Sequence, residues 1–172
     1  MGNMNEESEP LEPPDHFALS AAIGWLGLGC PGDALLELES IAIANQAHPA
    51  VLKARWSALA GTRNWDQALQ TAEALVAHEP QSSFGWIHRA YTLHELKRTS
   101  DAKESLQKVA DQFREEFLIP YNMACYAAQL GQLDEARTWL RTAARLAGKK
   151  RIKEMATADP DLLPLRDEIA KL

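Results

Sequence analysis

The sequence has few cysteines and no long apolar run. Its two cysteines, Cys30 and Cys125, lie in unrelated contexts, which excludes a disulfide framework and is typical of a reducing compartment. No stretch approaches the roughly eighteen apolar residues of a membrane span. The N-terminus, MGNMNEESEPLEPPD, is acidic and proline-rich where a signal peptide is basic and then apolar. We therefore expect a cytoplasmic protein that makes no membrane contact.

Motifs for catalysis, metal binding and phosphate binding are also missing. His88 and His94 are six residues apart, which does not place them on one helix face, and neither cysteine belongs to a CxxC pair, so we expect no zinc site. The glycines at positions 24–29 lack the Lys and Ser or Thr that follow in a phosphate-binding loop. Cys125 has no activating neighbour in sequence. We expect no enzyme activity, no metal, no cofactor and no small-molecule substrate.

Lysine and arginine are absent from the first 52 positions, which carry eight carboxylates. The formal net charge is −6, which argues against nonspecific nucleic-acid binding, because such binding needs a field able to displace counterions from phosphates. Residues 137–153, in contrast, hold seven cations and no acid. These cations are Arg137, Arg141, Arg145, Lys149, Lys150, Arg151 and Lys153. The molecule is expected to be electrically polar from end to end.

Apolar periodicity, glycines and prolines predict helices throughout the chain. Residues 1–14 are expected to form a flexible acidic tail. Eight helices are expected at about 16–28, 31–45, 49–61, 65–78, 83–96, 100–114, 119–130 and 133–146, and two short ones at about 151–158 and 160–172. Candidate N-caps are Asp15, Asn64, Ser82 or Ser83, and Thr99 or Ser100. No stretch alternates as a strand does, so the fold class is all-α.

Alanine recurs with a period of 34 residues. It occupies positions Ala34, Ala68, Ala102 and Ala136. The stretch from Tyr121 to Leu146 completes one period as a helix, a glycine turn and a second helix. Its packing residues are Met123, Ala124, Leu130, Gly131, Leu133, Ala136, Leu140 and Ala143. This pattern resembles the tetratricopeptide repeat, a 34-residue antiparallel helix pair. The second repeat departs from it, since Trp56 stands where the family has a small residue.

The resemblance implies a right-handed superhelical solenoid of four helix pairs. The repeats would span about 15–48, 49–82, 83–116 and 117–148, with C-terminal capping helices over 149–172. In this family the first helices of the pairs line a concave groove. The groove positions in this sequence are Leu19, Ile23, Lys53, Ser57, Phe84, Ile87, His88, Tyr91, His94, Tyr121, Asn122 and Cys125.

The middle of this expected groove is aromatic and apolar, which suits an extended peptide or an amphipathic helix. The alternative is that several of its residues, Leu19 and Ile23 especially, pack only against the tail or the caps. Some family members hold a terminal carboxylate with Lys, Asn and Arg from successive first helices. Only Lys53 is cationic at those positions here, so we do not expect a chaperone-binding carboxylate clamp.

The arginines at 137, 141 and 145 are four residues apart and share one helix face. Together with the cations at 149–153 they predict a basic outer surface on the last repeat. This surface is either a solvated helix face whose cations favour the helix C-terminus, or a docking site for an acidic partner or a second monomer.

From the sequence we infer a non-enzymatic scaffold that binds a partner protein through the concave groove and the basic outer face. The partner would be a peptide, a helix or an acidic filament surface. Two bacterial families built from such repeats give alternatives: kinesin-light-chain-like proteins that accompany bacterial tubulins, and secretion-type chaperones. The first agrees with a basic chain end, because tubulin surfaces are acidic.

Overall fold

A computed structural model describes residues 9–171, and every regular element in that range is a helix. The α-helices are α1 (Asp15–Gly27), α2 (Pro31–Glu39), α3 (Pro49–Gly61), α4 (Trp65–His78), α5 (Ser83–Glu95), α6 (Thr99–Gln107), α7 (Leu118–Gln129), α8 (Leu133–Ala147), α9 (Lys149–Ala158) and α10 (Arg166–Ala170). Two 3₁₀ helices span Ile43–Asn45 and Pro160–Leu165. The prediction of an all-α fold built from helix pairs is confirmed.

The chain forms two compact units, Met1–Pro80 and Gln81–Leu172. The first unit contains the pairs α1–α2 and α3–α4. The second contains α5–α6, α7–α8 and the C-terminal elements from α9 onward. Of the predicted tail, residues 1–8 lie outside the described residues. Leu11 packs on the core of the first unit, and the carbonyl oxygen of Glu9 lies 2.9 Å from Nε2 of His48.

The second helix of each pair carries one of the period-34 alanines, and all four are completely buried. They are Ala34, Ala68, Ala102 and Ala136. A methyl side chain lets the two helix axes of a pair approach closely, and larger apolar residues fill the remaining space at close-packed density. Leu38, Leu75 and Leu106 are such residues, each with no more than 1% of its surface exposed. The repeat period therefore marks a fully buried small residue in the second helix of each pair.

The turns inside the pairs use a residue in the left-handed backbone conformation. Gly29 and Gly131 have φ angles of 75°, as the helix–glycine–helix pattern predicts. Arg63 and Lys97 take the equivalent positions of the other two pairs with φ angles of 57° and 64°. These two are non-glycine residues in a region that costs an L-residue on the order of 1 kcal/mol. The left-handed turn residue therefore recurs in all four pairs, including the two pairs in which it is not glycine.

Two predicted helices end early. The expected helix at about 31–45 stops at Glu39, because the side-chain amide of Gln46 donates to the carbonyl oxygens of Leu38 and Ile41 at 3.0 and 2.6 Å. The helix expected at about 100–114 stops at Gln107 and continues as turns.

Asp15 is not the N-cap of α1, because the helix already includes it. Asp15 is buried, and its carboxylate accepts hydrogen bonds from the Ala42 amide and the Asn45 side chain.

The close contact at the period-34 alanines predicts a matched pair of substitutions in α4. Ala68→Leu adds three carbon atoms where no space remains, so we expect the free energy of unfolding to fall by about 1–3 kcal/mol. Ala77→Leu makes the same change on the exposed face of that helix and should alter stability by less than about 0.5 kcal/mol. Urea unfolding followed by circular dichroism measures both. Equal effects of the two substitutions would contradict the packing role of Ala68.

Candidate functional site

The predicted groove positions of the first unit lie on α1 and α3 and differ in accessibility. Leu19 is 9% exposed and belongs to the core cluster, whereas Ile23 is 55% exposed. On α3, the ammonium of Lys53 forms a 2.7 Å ion pair with the carboxylate of Glu79, and the hydroxyl of Ser57 donates to the Lys53 carbonyl oxygen. Of these positions, Ile23 offers the largest exposed apolar surface.

The predicted groove positions on α5 form an aromatic row in the second unit. The rings of Phe84 and His88 meet edge to face with centroids 3.8 Å apart. Tyr91 is 38% exposed, whereas Ile87 is 5% exposed. Helix α7 lies beside α5 and carries Tyr121, Asn122 and Cys125. The two helices thus bring together eight of the twelve predicted positions: Phe84, Ile87, His88, Tyr91, His94, Tyr121, Asn122 and Cys125.

The C-terminal segment, defined as residues 159–165, contacts three of these positions: Tyr121 and Cys125 on α7 and His94 on α5. The hydroxyl of Tyr121 donates to Oδ2 of Asp159 at 2.8 Å, and Sγ of Cys125 lies 3.5 Å from the same oxygen. As a result Tyr121 and Cys125 are only 5% and 4% exposed. Part of the predicted groove is therefore already occupied by the chain itself.

A second aspartate of the segment reaches α5. Oδ2 of Asp161 lies 3.0 Å from Nε2 of His94, and the Thr99 hydroxyl lies 3.0 Å from Nδ1 of the same ring. With Nε2 protonated, the imidazole donates to the carboxylate and accepts from the hydroxyl. The Gln129 amide donates to the Asp161 backbone carbonyl at 2.9 Å. The segment is thus held on α5 and α7 by side-chain donors from both helices.

The segment also buries apolar surface. Leu162 and Leu165 are fully buried, whereas Leu163 between them is 54% exposed. The 3₁₀ helix repeats about every three residues, so the two buried leucines share the face that is turned to the protein. The sequence predicted capping helices here and left open that several groove residues pack against them, and the structure has this contact at Tyr121 and Cys125. The Asp-Pro-Asp sequence was the available signal, since Asp159 accepts from the Asp161 amide as an N-cap does.

Burial shifts the pKa values of several of the predicted groove side chains. It raises the pKa of the Cys125 thiol well above its usual range, and the nearby Asp159 carboxylate raises it further. The thiol therefore stays protonated, the opposite of an activated nucleophile. Burial, followed by the Glu95 carboxylate, raises the pKa of Tyr91 to about 12. Burial also lowers the pKa of His88 to about 4, so this ring is neutral at pH 7.

The predicted basic residues divide between two environments. Arg137, Arg141, Arg145 and Lys149 surround one open pocket of about 570 Å³, whose apolar lining comes from Leu140 and Ala144. Glu168 and Lys171, which the sequence analysis did not single out, complete its rim. The remaining three predicted cations, Lys150, Arg151 and Lys153, do not line it. Arg151 lies over the Phe117 ring, and Lys153 donates to the Ala170 carbonyl oxygen.

The pocket exists because α10 folds back towards α8. Arg137 donates from Nε to the Glu168 carboxylate and from Nη1 to the Asp134 carboxylate, both at 2.7 Å. Arg141 is exposed and makes no hydrogen bond or ion pair within residues 9–171. Arg145 is exposed and bonds to the Thr142 hydroxyl. The pocket therefore combines an apolar wall with cations that have unused donors.

The described residues offer little for a metal ion or a membrane span. Among residues 9–171, no group of three or more His, Cys, Asp or Glu side chains is placed to hold a metal ion. No helix in that range combines the length and the apolar character needed to cross a membrane.

The burial of His88 predicts a pH dependence of stability. The pKa of a histidine is near 6.5 in the unfolded chain, whereas the pKa of His88 is about 4 in the folded protein. As the pH falls, the unfolded chain therefore binds the proton first. Stability is therefore lost as the pH falls from about 6.5 towards 4. Between pH 7.5 and 5 we expect the wild type to lose up to about 2 kcal/mol more than His88→Gln.

Urea unfolding of both proteins at the two pH values measures this difference. His78→Gln, at an exposed position, is the matched control and should lose as much stability as the wild type. If His88→Gln loses as much stability as the wild type between the two pH values, His88 does not stay neutral in the folded protein at pH 5.

Comparison with known proteins identifies the repeat and the fold. The family model of the tetratricopeptide repeat matches residues 121–150. No curated protein matches the chain. Among solved structures, MamA from Desulfovibrio magneticus RS-1 (41-end) is 16% identical with a TM-score of 0.71, and 93% of each chain is covered. TTC0263, a thermophilic tetratricopeptide-repeat protein of Thermus thermophilus, is 18% identical with a TM-score of 0.69, covering 92% of this chain and 100% of that one.

A third structure, MamA of MSR-1, is 18% identical with a TM-score of 0.67, covering 93% of this chain and 97% of that one. At these identities the likeness shows the fold alone. Residues 121–150 are a tetratricopeptide repeat, and the chain has the all-helical fold of tetratricopeptide-repeat proteins.

Proposed function

We propose that this protein is a non-enzymatic scaffold that binds a partner protein, and that the basic pocket between α8 and α10 is its principal contact. The observation that carries the proposal is the combination in this pocket of an apolar wall, Leu140 and Ala144, with exposed arginines. A protein-interaction role agrees with the tetratricopeptide fold. The raised pKa of Cys125 supports the non-enzymatic part.

The chemistry of the pocket favours an acidic amphipathic helix as the partner segment. Arginine guanidinium groups bind carboxylates through paired, charge-assisted hydrogen bonds, and Arg141 and Arg145 have donors available for such bonds. Apolar side chains on the other face of the incoming helix would cover the wall of the pocket. Because the whole chain has a net charge of −6, a local basic surface is needed to steer an acidic partner to this place.

The predicted groove positions on α5 and α7 form a second proposed contact surface, within the second unit. Tyr91 is exposed enough for a partner to reach it. Positions under the C-terminal segment, such as Tyr121, contact a partner only if that segment leaves. Ile23, which is exposed on α1, is a separate candidate contact of the first unit. We place both after the basic pocket.

An accessory role on a bacterial tubulin-like filament is the alternative that one observation favours. The exposed arginines of α8 would face an acidic filament surface, as the kinesin-light-chain-like resemblance implies. A secretion-type chaperone function has no such observation in its favour.

Binding of a defined acidic peptide tests the proposal. A fluorescent amphipathic peptide of about 16 residues, with leucine on one helical face and glutamate on the other, is titrated with the full chain at low ionic strength. We expect Arg141→Glu with Arg145→Glu to weaken binding at least about tenfold, since the guanidinium–carboxylate pairs are lost. Added salt should weaken binding to the wild type.

Lys108→Glu with Arg114→Glu changes the net charge equally on another exposed surface and should leave the affinity within about twofold. A peptide with lysine in place of glutamate should not bind. Equal losses in both double variants, or no binding of the acidic peptide at low salt, would overturn the pocket as the site. If Phe84→Ala with Tyr91→Ala abolishes binding instead, the principal site is the surface formed by the predicted groove positions on α5 and α7.

A further inference from the structure

The groove side of α5 and α7, defined as the side that carries Tyr121, Cys125 and His94, holds donors for two carboxylates of the C-terminal segment. Tyr121 supplies a hydroxyl to Asp159, and His94 supplies a ring nitrogen to Asp161. Gln129 supplies an amide to the backbone carbonyl of Asp161. These three side chains come from the first helices of two successive pairs. They contact a segment more than thirty residues away in sequence.

The 3₁₀ helix of the segment, Pro160–Leu165, packs mainly on α7, with smaller contacts to α8, α9 and α10. Within it Leu162 and Leu165 are fully buried, whereas Leu163 is exposed. The position of a leucine in the segment, and not its apolar character alone, therefore decides whether it is buried. The pattern of the segment is Asp-x-Asp-Leu-x-x-Leu, in which the four specified residues are buried or hydrogen-bonded to the protein.

We propose that the groove side of α5 and α7 is a binding site for protein segments with the pattern Asp-x-Asp-Leu-x-x-Leu, and that residues 159–165 are its resident intramolecular ligand. A partner that carries this pattern binds by replacing the resident segment. The same donors and the same apolar surface serve both, so little contact energy changes in the exchange. This inference does not rest on the acidic-helix pocket, which lies on α8 and α10.

Competition with the resident segment sets the strength of binding. A segment joined to its site by a short connection acts at an effective concentration of about millimolar. A free segment of equal quality therefore binds weakly to the wild type, because only a small fraction of sites is open at any moment. Weakening the resident contacts should open the site and strengthen binding of the free segment.

Asp159→Asn with Asp161→Asn is the variant that opens the site. Asparagine keeps the N-cap geometry at position 159, since its oxygen can still accept the 161 amide, but it removes the charge that strengthens the Tyr121 and His94 bonds. The probe is a fluorescent peptide of residues 157–167 with the native sequence. Its binding to the full-length chains is measured by fluorescence anisotropy.

We expect the double variant to bind this peptide at least about tenfold more tightly than the wild type. Adding Tyr121→Phe to the double variant should weaken binding, because the hydroxyl donor is gone. The adjacent leucines give a matched pair of peptides. Leu162→Ala in the peptide should remove binding, whereas Leu163→Ala should leave it unchanged.

Equal weak binding by the wild type and the folded double variant would overturn the proposal and make the segment a structural cap only. Equal losses for the Leu162→Ala and Leu163→Ala peptides would overturn it too. If circular dichroism shows that the double variant does not fold, Asp161→Asn alone replaces it, since all contacts of Asp159 remain. A gain of several-fold is then expected, and no gain overturns the proposal.

Discussion

Close packing of the paired helices at the buried alanines is the constraint on which the structure depends. Ala34, Ala68, Ala102 and Ala136 have no exposed surface, so a larger side chain at any of them would have to displace its neighbours in the close-packed interior. A helix pair packed in this way still presents an apolar face that it cannot bury alone. In the second unit the pair α7–α8 is the last, and the elements after it must cover that face.

The C-terminal elements that cover the pair α7–α8 also form both candidate sites. Helix α9 packs on α8, and residues 159–165 then cross α7, where Asp159 and Asp161 bond to groove positions. Helix α10 returns towards α8, and the ion pair between Arg137 and Glu168 fixes one side of the basic pocket. The contacts of residues 159–165 with α5 and α7 and the formation of the pocket are therefore consequences of one chain path.

Sequence reasoning reached the features that depend on local spacing. The period of 34 predicted the helix pairs, and the spacing of Arg137, Arg141 and Arg145 predicted one shared face, on which the structure places a common pocket. It missed the features that depend on distant partners. Tyr121 and Asp159 are 38 positions apart, and no local pattern links them. The early end of α2 likewise depends on Gln46, which satisfies carbonyl groups that a longer helix would have bonded internally.

If the C-terminal segment is a separable ligand of α5 and α7, it should open independently of the cooperative core. Native-state hydrogen exchange of the full chain measures this by comparing the Leu162 amide, which bonds to the Asp159 carbonyl oxygen, with the Leu130 amide, which bonds to the Tyr126 carbonyl oxygen of α7. We expect the Leu162 amide to exchange through a local opening of clearly lower free energy than that of α7. Equal opening free energies at the two amides would mean that the segment is part of the core.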